Sequence, residues 1–100
     1  MGQPKDKKDR VPQQGPVLIT RAQRAEMLDI SEDGMYIYTN TPFISGEIIQ
    51  LCFPLEGEPI ELTAKVRHVQ KGIGIGVQFV DMSDISRQRI KDYIETKKGI

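Results

Sequence analysis

The sequence predicts a mainly β fold, a small antiparallel β-barrel with one α-helix packed against it near the C-terminus. Three observations support this prediction. Short segments alternate apolar and polar residues with a period of two, turn residues separate these segments at regular spacing, and the one helical pattern comes after residue 83. With 100 residues, the chain can build one hydrophobic core and therefore one domain.

The N-terminal part is expected to be an arm followed by three strands. Residues 1–15 are rich in Lys, Asp, Gln, Pro and Gly, a composition that predicts a flexible basic and polar arm. The barrel domain is then expected over residues 16–98. Its first three strands are expected at residues 17–20, 25–30 and 34–39, separated by turn signals.

The clearest strand lies in the second half of the chain. After a fourth strand at residues 47–53, residues 60–69 alternate apolar and polar side chains, as in a sheet with one solvated face. His68 has the same parity as Val66, which predicts a partly buried structural histidine. The apolar members of this strand are Ile60, Leu62, Ala64 and Val66.

Glycines alternate with apolar residues in the sixth expected strand, residues 72–79. A phosphate-binding loop is one interpretation of Gly72, Gly74 and Gly76, but the run lacks both the GxGxxG spacing before a helix and the lysine of a P-loop. Close approach of another backbone or element is the alternative, and it needs no ligand. We expect one face of this strand to pack and the other to carry almost no side chains.

A closing helix is expected from about residue 83. Ser83 can cap its first turn, Asp84 suits the positive end of the helix dipole, and Lys97 and Lys98 suit the negative end. Gly99 is a natural terminator. The apolar stripe of this helix is expected to contain Ile85, Ile90, Tyr93 and Ile94.

Composition limits the classes of function. Lys plus Arg and Asp plus Glu both number 14, so the net charge of zero gives no sign of a general DNA or membrane binder. Cys52 is the one cysteine and lies in an apolar run, which predicts a small buried side chain and favours a reducing compartment. No apolar stretch approaches the roughly 20 residues that span a bilayer, and no signal core is visible at the start. A cytoplasmic location is expected.

Catalysis has little support in the sequence. There is one histidine, one cysteine and no cluster with metal-ligand spacing, so we expect neither an enzyme nor a metal or other cofactor. Paired acidic residues such as Glu56 with Glu58 are better explained as solvated charges in turns. Binding is the remaining class of function.

The most informative segment for binding is residues 29–34. Alternation along a strand places Asp29 and Ser31 on the outer face and Leu28 with Ile30 in the core. A carboxylate and a hydroxyl presented together can recognise the edge of a planar ligand. Gly34 then lets the backbone turn or a ligand approach closely.

These residues fall into the order of a known family. The DxSxxG run at residues 29–34, the segment GIGVQFVDMS at residues 74–83 and the helix ending in Asp92-Tyr93-Ile94 resemble the PilZ domain over roughly residues 10–95. The resemblance implies a six-stranded antiparallel barrel with a C-terminal helix. It also implies a bacterial receptor for the second messenger cyclic di-GMP, acting in motility or biofilm regulation.

The resemblance also implies which residues bind the nucleotide. Asp29 and Ser31 would form hydrogen bonds with a guanine, and Gly34 would keep the surface open to it. Arginines of an RxxxR motif on the preceding arm would bind guanine edges and phosphates. The chain departs from that motif, because Arg10 matches its second arginine while Asp6 stands where the first belongs. Lys7 and Lys8 are weaker candidate ligands, since an ammonium cannot form the planar fork of a guanidinium.

Two hypotheses follow from the resemblance. In the first, cyclic di-GMP binds these residues, the N-terminal arm becomes ordered over it, and contacts with a protein partner change. In the second, suggested by Asp6, the domain has lost nucleotide binding and acts through protein contacts in pilus or motility regulation. Tyr36 and Tyr38, on the outer face of the third strand, are its candidate contact surface.

Overall fold

The described residues form six strands and one helix, in the order that the sequence predicts. The structure is a computed structural model that describes residues 10–20 and 23–98. The strands are β1 (Val11–Ile19), β2 (Gln23–Ile30), β3 (Gly34–Tyr38), β4 (Ile48–Leu55), β5 (Glu58–Gln70) and β6 (Gly74–Val80), and the helix is α1 (Asp84–Lys98). The predicted mainly β fold with a C-terminal helix is confirmed.

The strands close into an antiparallel barrel in the order β1-β2-β3-β6-β5-β4. Closure rests on a short pairing of β1 with β4, in which Leu18 lies opposite Cys52 and Ile19 opposite Leu51. Cys52 is only half-buried, because its neighbours Leu51 and Phe53 take the inward positions. The prediction of a buried cysteine is therefore wrong.

The first strand begins earlier than expected. Val11 is buried and pairs with Ile30, so residues 11–15 belong to β1 and not to the predicted arm. A register shift between Pro12 and Gly15 lets this segment follow β2 despite its Pro and Gln content. Composition could not reveal this, because the pairing energy comes from the partner strand. Residues 1–9 lie outside the described part of the chain.

A β-bulge in β2 changes the direction of its side chains. The register with β3 shifts between Met27 and Asp29, so that Leu28 and Asp29 both point outward before Ile30 returns to the core. Leu28 is 43% exposed, and its predicted core position is wrong. Strict alternation fails here because the extra residue of a bulge resets the parity of the strand.

A second bulge has the same effect in β5. Residues Ile60 to Val66 alternate as predicted, but the register with β6 shifts between Val66 and His68. Arg67 and His68 are consequently both exposed. The prediction that His68 is partly buried is wrong for this reason.

The glycines of β6 are explained by close packing. A Cβ atom on Gly74 would lie 2.2 Å from the carbonyl oxygen of Ile37, and one on Gly76 would lie 2.7 Å from Cε1 of Tyr36. The interpretation that these glycines permit close approach of another element is confirmed. Gly72 lies in the preceding turn with φ of 77°, so the strand begins two residues later than expected.

The helix closes one side of the core. Ser83 Oγ accepts a hydrogen bond from the Ser86 amide at 3.1 Å, which confirms the predicted N-cap. Ile90, Tyr93 and Ile94 are buried, whereas Ile85 is 76% exposed and does not belong to the stripe. Ile85 lies roughly 140° around the helix from Ile90, and so it points away from the barrel.

Arg89 fastens the helix to the β4–β5 hairpin. Its Nη1 donates to the carbonyl of Pro59 at 3.2 Å, and its Nη2 donates to the carbonyl of Glu58 at 3.1 Å. One guanidinium thus satisfies two carbonyl groups of the second strand of the hairpin. The contact joins the last element of the chain to the closed barrel.

We expect Arg89→Ala to lower the free energy of unfolding by about 1–2 kcal/mol, since it removes charge-assisted hydrogen bonds at a half-buried site. Urea unfolding measures the change. Arg87→Ala on the same helix is the matched control, because Arg87 is exposed and should change stability by less than about 0.5 kcal/mol. Equal effects of the two variants would contradict the anchoring role of Arg89.

Candidate functional site

A shallow cleft of about 290 Å³ lies on the outer surface of the barrel, across β3, β6 and β5. Its volume is at the lower end of the range for small-molecule sites. Two of the residues that line it, Gly34 and Gly76, have no side chain. The residues that line it are Arg10, Ser31, Asp33, Gly34, Tyr36, Arg67, His68, Gly76, Val77 and Gln78.

The floor of the cleft is a row of three residues in register across three strands. Tyr36 of β3 lies opposite Gly76 of β6, and Gly76 in turn lies opposite His68 of β5. Because Gly76 has no side chain, the Tyr36 ring occupies the space above it. Tyr36 is half-buried, while Tyr38 is 45% exposed, so both tyrosines lie on the outer face as predicted.

Arg10 reaches Asp29 beside the cleft. Its Nη1 lies 3.5 Å from Asp29 Oδ1, and about a third of each side chain remains exposed. The same carboxylate oxygen accepts a hydrogen bond from the Tyr36 backbone amide at 3.2 Å, next to the bulge in β2. Among the described residues, nothing bonds to Asp29 Oδ2. Asp29 therefore supports the pairing of β2 with β3 through one of its two oxygens.

Ser31 has a different position from the one predicted. It is 3% exposed, and its Oγ accepts the Asp33 amide at 3.3 Å and donates to the Gly34 carbonyl at 3.5 Å. The prediction that Ser31 projects outward beside Asp29 is wrong, because β2 ends at Ile30 and the serine begins the turn into β3. Ser31 lines the cleft, and its hydroxyl holds that turn.

We expect Ser31→Ala to lower the free energy of unfolding by about 1 kcal/mol, because the Asp33 amide loses its hydrogen-bond partner. The Gly34 carbonyl loses the hydroxyl but keeps the hydrogen bond from the Ser31 amide. Thermal unfolding followed by circular dichroism measures the change. Ser86→Ala on the helix is the control, with an expected change below about 0.5 kcal/mol. A fully stable Ser31→Ala variant would mean that the hydroxyl has no role in the turn.

Gly34 is required by packing and not by its backbone angle. Its φ is not in the left-handed region, so the expected conformational reason for the glycine is wrong. A Cβ atom there would lie 2.2 Å from the carbonyl oxygen of Val77.

The structure brings three of the predicted site residues into one cleft and adds others. Arg10, Ser31 and Gly34 line it, and Asp29 adjoins it through its contact with Arg10. Lys7 and Lys8, like Asp6, lie outside the described residues. Tyr36, Arg67, His68 and Gln78 line the cleft but were not predicted as site residues. The local sequence does not predict that Arg67 and His68 both face outward, because the bulge that turns them depends on the register of β5 with β6.

The cleft is suited to an anionic or hydrogen-bonding ligand. Two guanidinium groups, Arg10 and Arg67, line it together with one carboxylate, Asp33. Guanidinium groups bind phosphates and the O6 and N7 atoms of guanine through paired hydrogen bonds. No group of three or more metal-ligating side chains occurs within residues 10–20 and 23–98.

The structure is thus a closed six-stranded barrel with an arginine-lined cleft on its outer surface. The family model described as the PilZ domain matches residues 5–96, and the chain therefore belongs to the PilZ domain family, the family of cyclic di-GMP receptors. PilZ domains are binding and regulatory modules and not enzymes. The ligand of the family is a nucleotide and not a resident cofactor.

A solved structure has the same fold. The structure of the Bacillus subtilis inhibitor of motility, MotI/DgrA, superposes with a TM-score of 0.80 at 20% sequence identity. The match covers 96% of this chain but 52% of that one, so the present chain spans about half the length of that protein. A search of curated protein sequences found no match. In the described part of the chain, no helix has the length and hydropathy needed to cross a membrane.

Proposed function

We propose that this domain is a receptor for cyclic di-GMP and that the cleft beside Asp29 is its binding site. The observation that supports the proposal is the placement of Arg10 next to Asp29 at a cleft lined by Ser31 and Gly34. Asp29 Oδ2 can accept a hydrogen bond from the amino group of guanine. Arg10 can donate to guanine O6 and N7 or to a phosphate.

The ion pair of Arg10 with Asp29 does not prevent binding. An exposed pair of this kind contributes about 0–1 kcal/mol, whereas a bidentate contact between arginine and guanine contributes about 1–3 kcal/mol. Exchanging the first contact for the second is therefore favourable. Asp29 remains fixed during the exchange, because the Tyr36 amide still holds it.

Binding is proposed to act through the segment before β1. Val11 is anchored in the sheet, so Arg10 lies where the chain enters the barrel. A nucleotide held by Arg10 would draw residues 1–9 over the cleft and change the surface offered to a protein partner. Such a receptor works in the cytoplasm, a compartment that the unpaired Cys52 also favours.

A titration with cyclic di-GMP tests the proposal. Calorimetry gives affinity and stoichiometry, and amide chemical shifts locate the ligand. We expect shifts at residues 6–12 and 29–34. Their absence at millimolar nucleotide would contradict the proposal.

A second candidate function is a protein-interaction module in pilus or motility regulation that does not bind the nucleotide. Asp6 favours it, since the family motif has an arginine there, and Tyr38 is 45% exposed on the outer face of the barrel. The structurally similar MotI/DgrA is an inhibitor of motility, which supports a partner from a motility system for this second function. Loss of a captured partner in Tyr38→Ser, together with no heat of nucleotide binding, would favour this function over the first.

A further inference from the structure

Arg67 is a cleft residue that the family motifs do not include. It lies at the bulge of β5, which turns both Arg67 and His68 outward. Arg67 lines the same cleft as Arg10 and Gly34. The two arginines come from different strands, because Arg67 lies in β5 and Arg10 lies just before β1.

The guanidinium of Arg67 is held in place by a neutral partner. Its Nη1 donates to Gln78 Oε1 at 3.0 Å, and Gln78 lies opposite Gly34 in the pairing of β6 with β3. Within residues 10–20 and 23–98, no carboxylate lies within 4.0 Å of Arg67, whereas Arg10 is paired with Asp29. Arg67 thus lines the cleft without an ion pair among the described residues, although the Asp33 carboxylate lines the same cleft.

An oriented guanidinium of this kind favours an anion. Gln78 occupies Nη1 and leaves Nη2 and Nε for a second pair of hydrogen bonds. That pattern suits the two oxygens of a phosphodiester. A solvated surface arginine is the simpler explanation, but it needs neither the hydrogen bond to Gln78 nor a position in the same cleft as Arg10.

We infer that Arg67 is the second guanidinium of the nucleotide site and binds a phosphodiester of cyclic di-GMP. The inference rests on the proposed function. It explains how the site can work although Asp6 occupies the first arginine position of the arm motif. The second positive charge comes from β5 across the cleft.

Calorimetry with cyclic di-GMP on four proteins tests this inference: the wild type, Arg67→Ala, Arg67→Lys and Arg24→Ala. Arg24 is the matched control, because it is an exposed arginine that lines a different cleft beside Pro16 and Leu18. We expect Arg67→Ala to bind about 10-fold or more weakly, as for a lost charge-assisted hydrogen bond. Arg24→Ala should bind like the wild type.

Arg67→Lys distinguishes a phosphate from a guanine edge. Lysine binds phosphate as a point charge but cannot form the fork that guanine requires. We expect Arg67→Lys to recover most of the affinity lost in Arg67→Ala. Equal losses in the two variants would overturn the assignment to a phosphodiester.

The remaining outcomes separate this inference from the proposed function. If the wild type binds and Arg67→Ala binds equally well, the inference is overturned while the receptor function stands. If Arg24→Ala weakens binding as much as Arg67→Ala, net charge and not a contact explains the effect, and the inference is overturned. If the wild type does not bind, both the receptor function and the role of Arg67 are overturned.

Discussion

Gly34→Ala is expected to destabilise the barrel by about 3 kcal/mol, at the upper end of the cost of overpacking. The added Cβ would lie 2.2 Å from the carbonyl oxygen of Val77, and a backbone atom in a paired strand cannot move aside as a side chain can. Because small domains are stable by only about 5–15 kcal/mol, this is a large share of the total. Urea unfolding measures the change.

Gly72→Ala is the control for that experiment. Gly72 has φ of 77°, but a Cβ there meets no atom within 4 Å. Its cost is therefore conformational and about 1–2 kcal/mol. If Gly34→Ala is as stable as Gly72→Ala or more stable, β3 and β6 can separate without strain. That result would contradict the role of the close contact between Gly34 and Val77.

Arg10→Ala is expected to weaken cyclic di-GMP binding by about 5- to 150-fold, the range that corresponds to losing one bidentate contact of 1–3 kcal/mol. Arg10→Lys should recover little of a guanine contact, since it keeps the charge but not the fork. Arg10 is exposed, so the unfolding midpoint should remain close to that of the wild type. Calorimetry and thermal unfolding of the same samples measure both effects.

Asp6→Arg is the complementary variant, because it restores the arginine that the family motif has four residues before Arg10. We expect it to strengthen binding, by removing a repulsive carboxylate and adding a guanidinium. Unchanged affinity would mean that the alignment of the arm with the motif is wrong. Unchanged affinity in Arg10→Ala would instead remove Arg10 from the site.

Together, these variants separate two sources of positive charge at the cleft. Arg10 comes from the start of β1 and is paired with Asp29, whereas Arg67 comes from β5 and is held by Gln78. A site built from both needs only one arginine on the arm. This arrangement reconciles an intact DxSxxG segment with an incomplete arm motif.

The candidate site was only partly predictable from the sequence. Arg10, Ser31 and Gly34 could be named from the motif, and they line one cleft. The expected outward orientation of Ser31 and the expected turn conformation of Gly34 were wrong, since Ser31 is buried in a turn and Gly34 avoids a carbonyl group. Their roles toward a ligand remain predictions. Motifs record which residues recur together, but they do not record which contacts each residue makes.

Local patterns by themselves determined the class of the fold. Alternation in residues 60–66, the capping serine at Ser83 and the spacing of Ile90, Tyr93 and Ile94 are short-range signals, and each element formed where they predict. Such signals depend on neighbours within a few positions of the chain. They can therefore be read from the sequence.

Only the tertiary structure decided the shape and charge of the cleft. One bulge exposes Leu28, and another places Arg67 and His68 together on the outer face. Both bulges arise from the register between strands. The early start of β1 at Val11 likewise depends on pairing with Ile30. Register is set by contacts between residues far apart in the chain. Because a one-residue shift moves every later side chain to the opposite face of the sheet, alternation alone could not predict which of these side chains face outward.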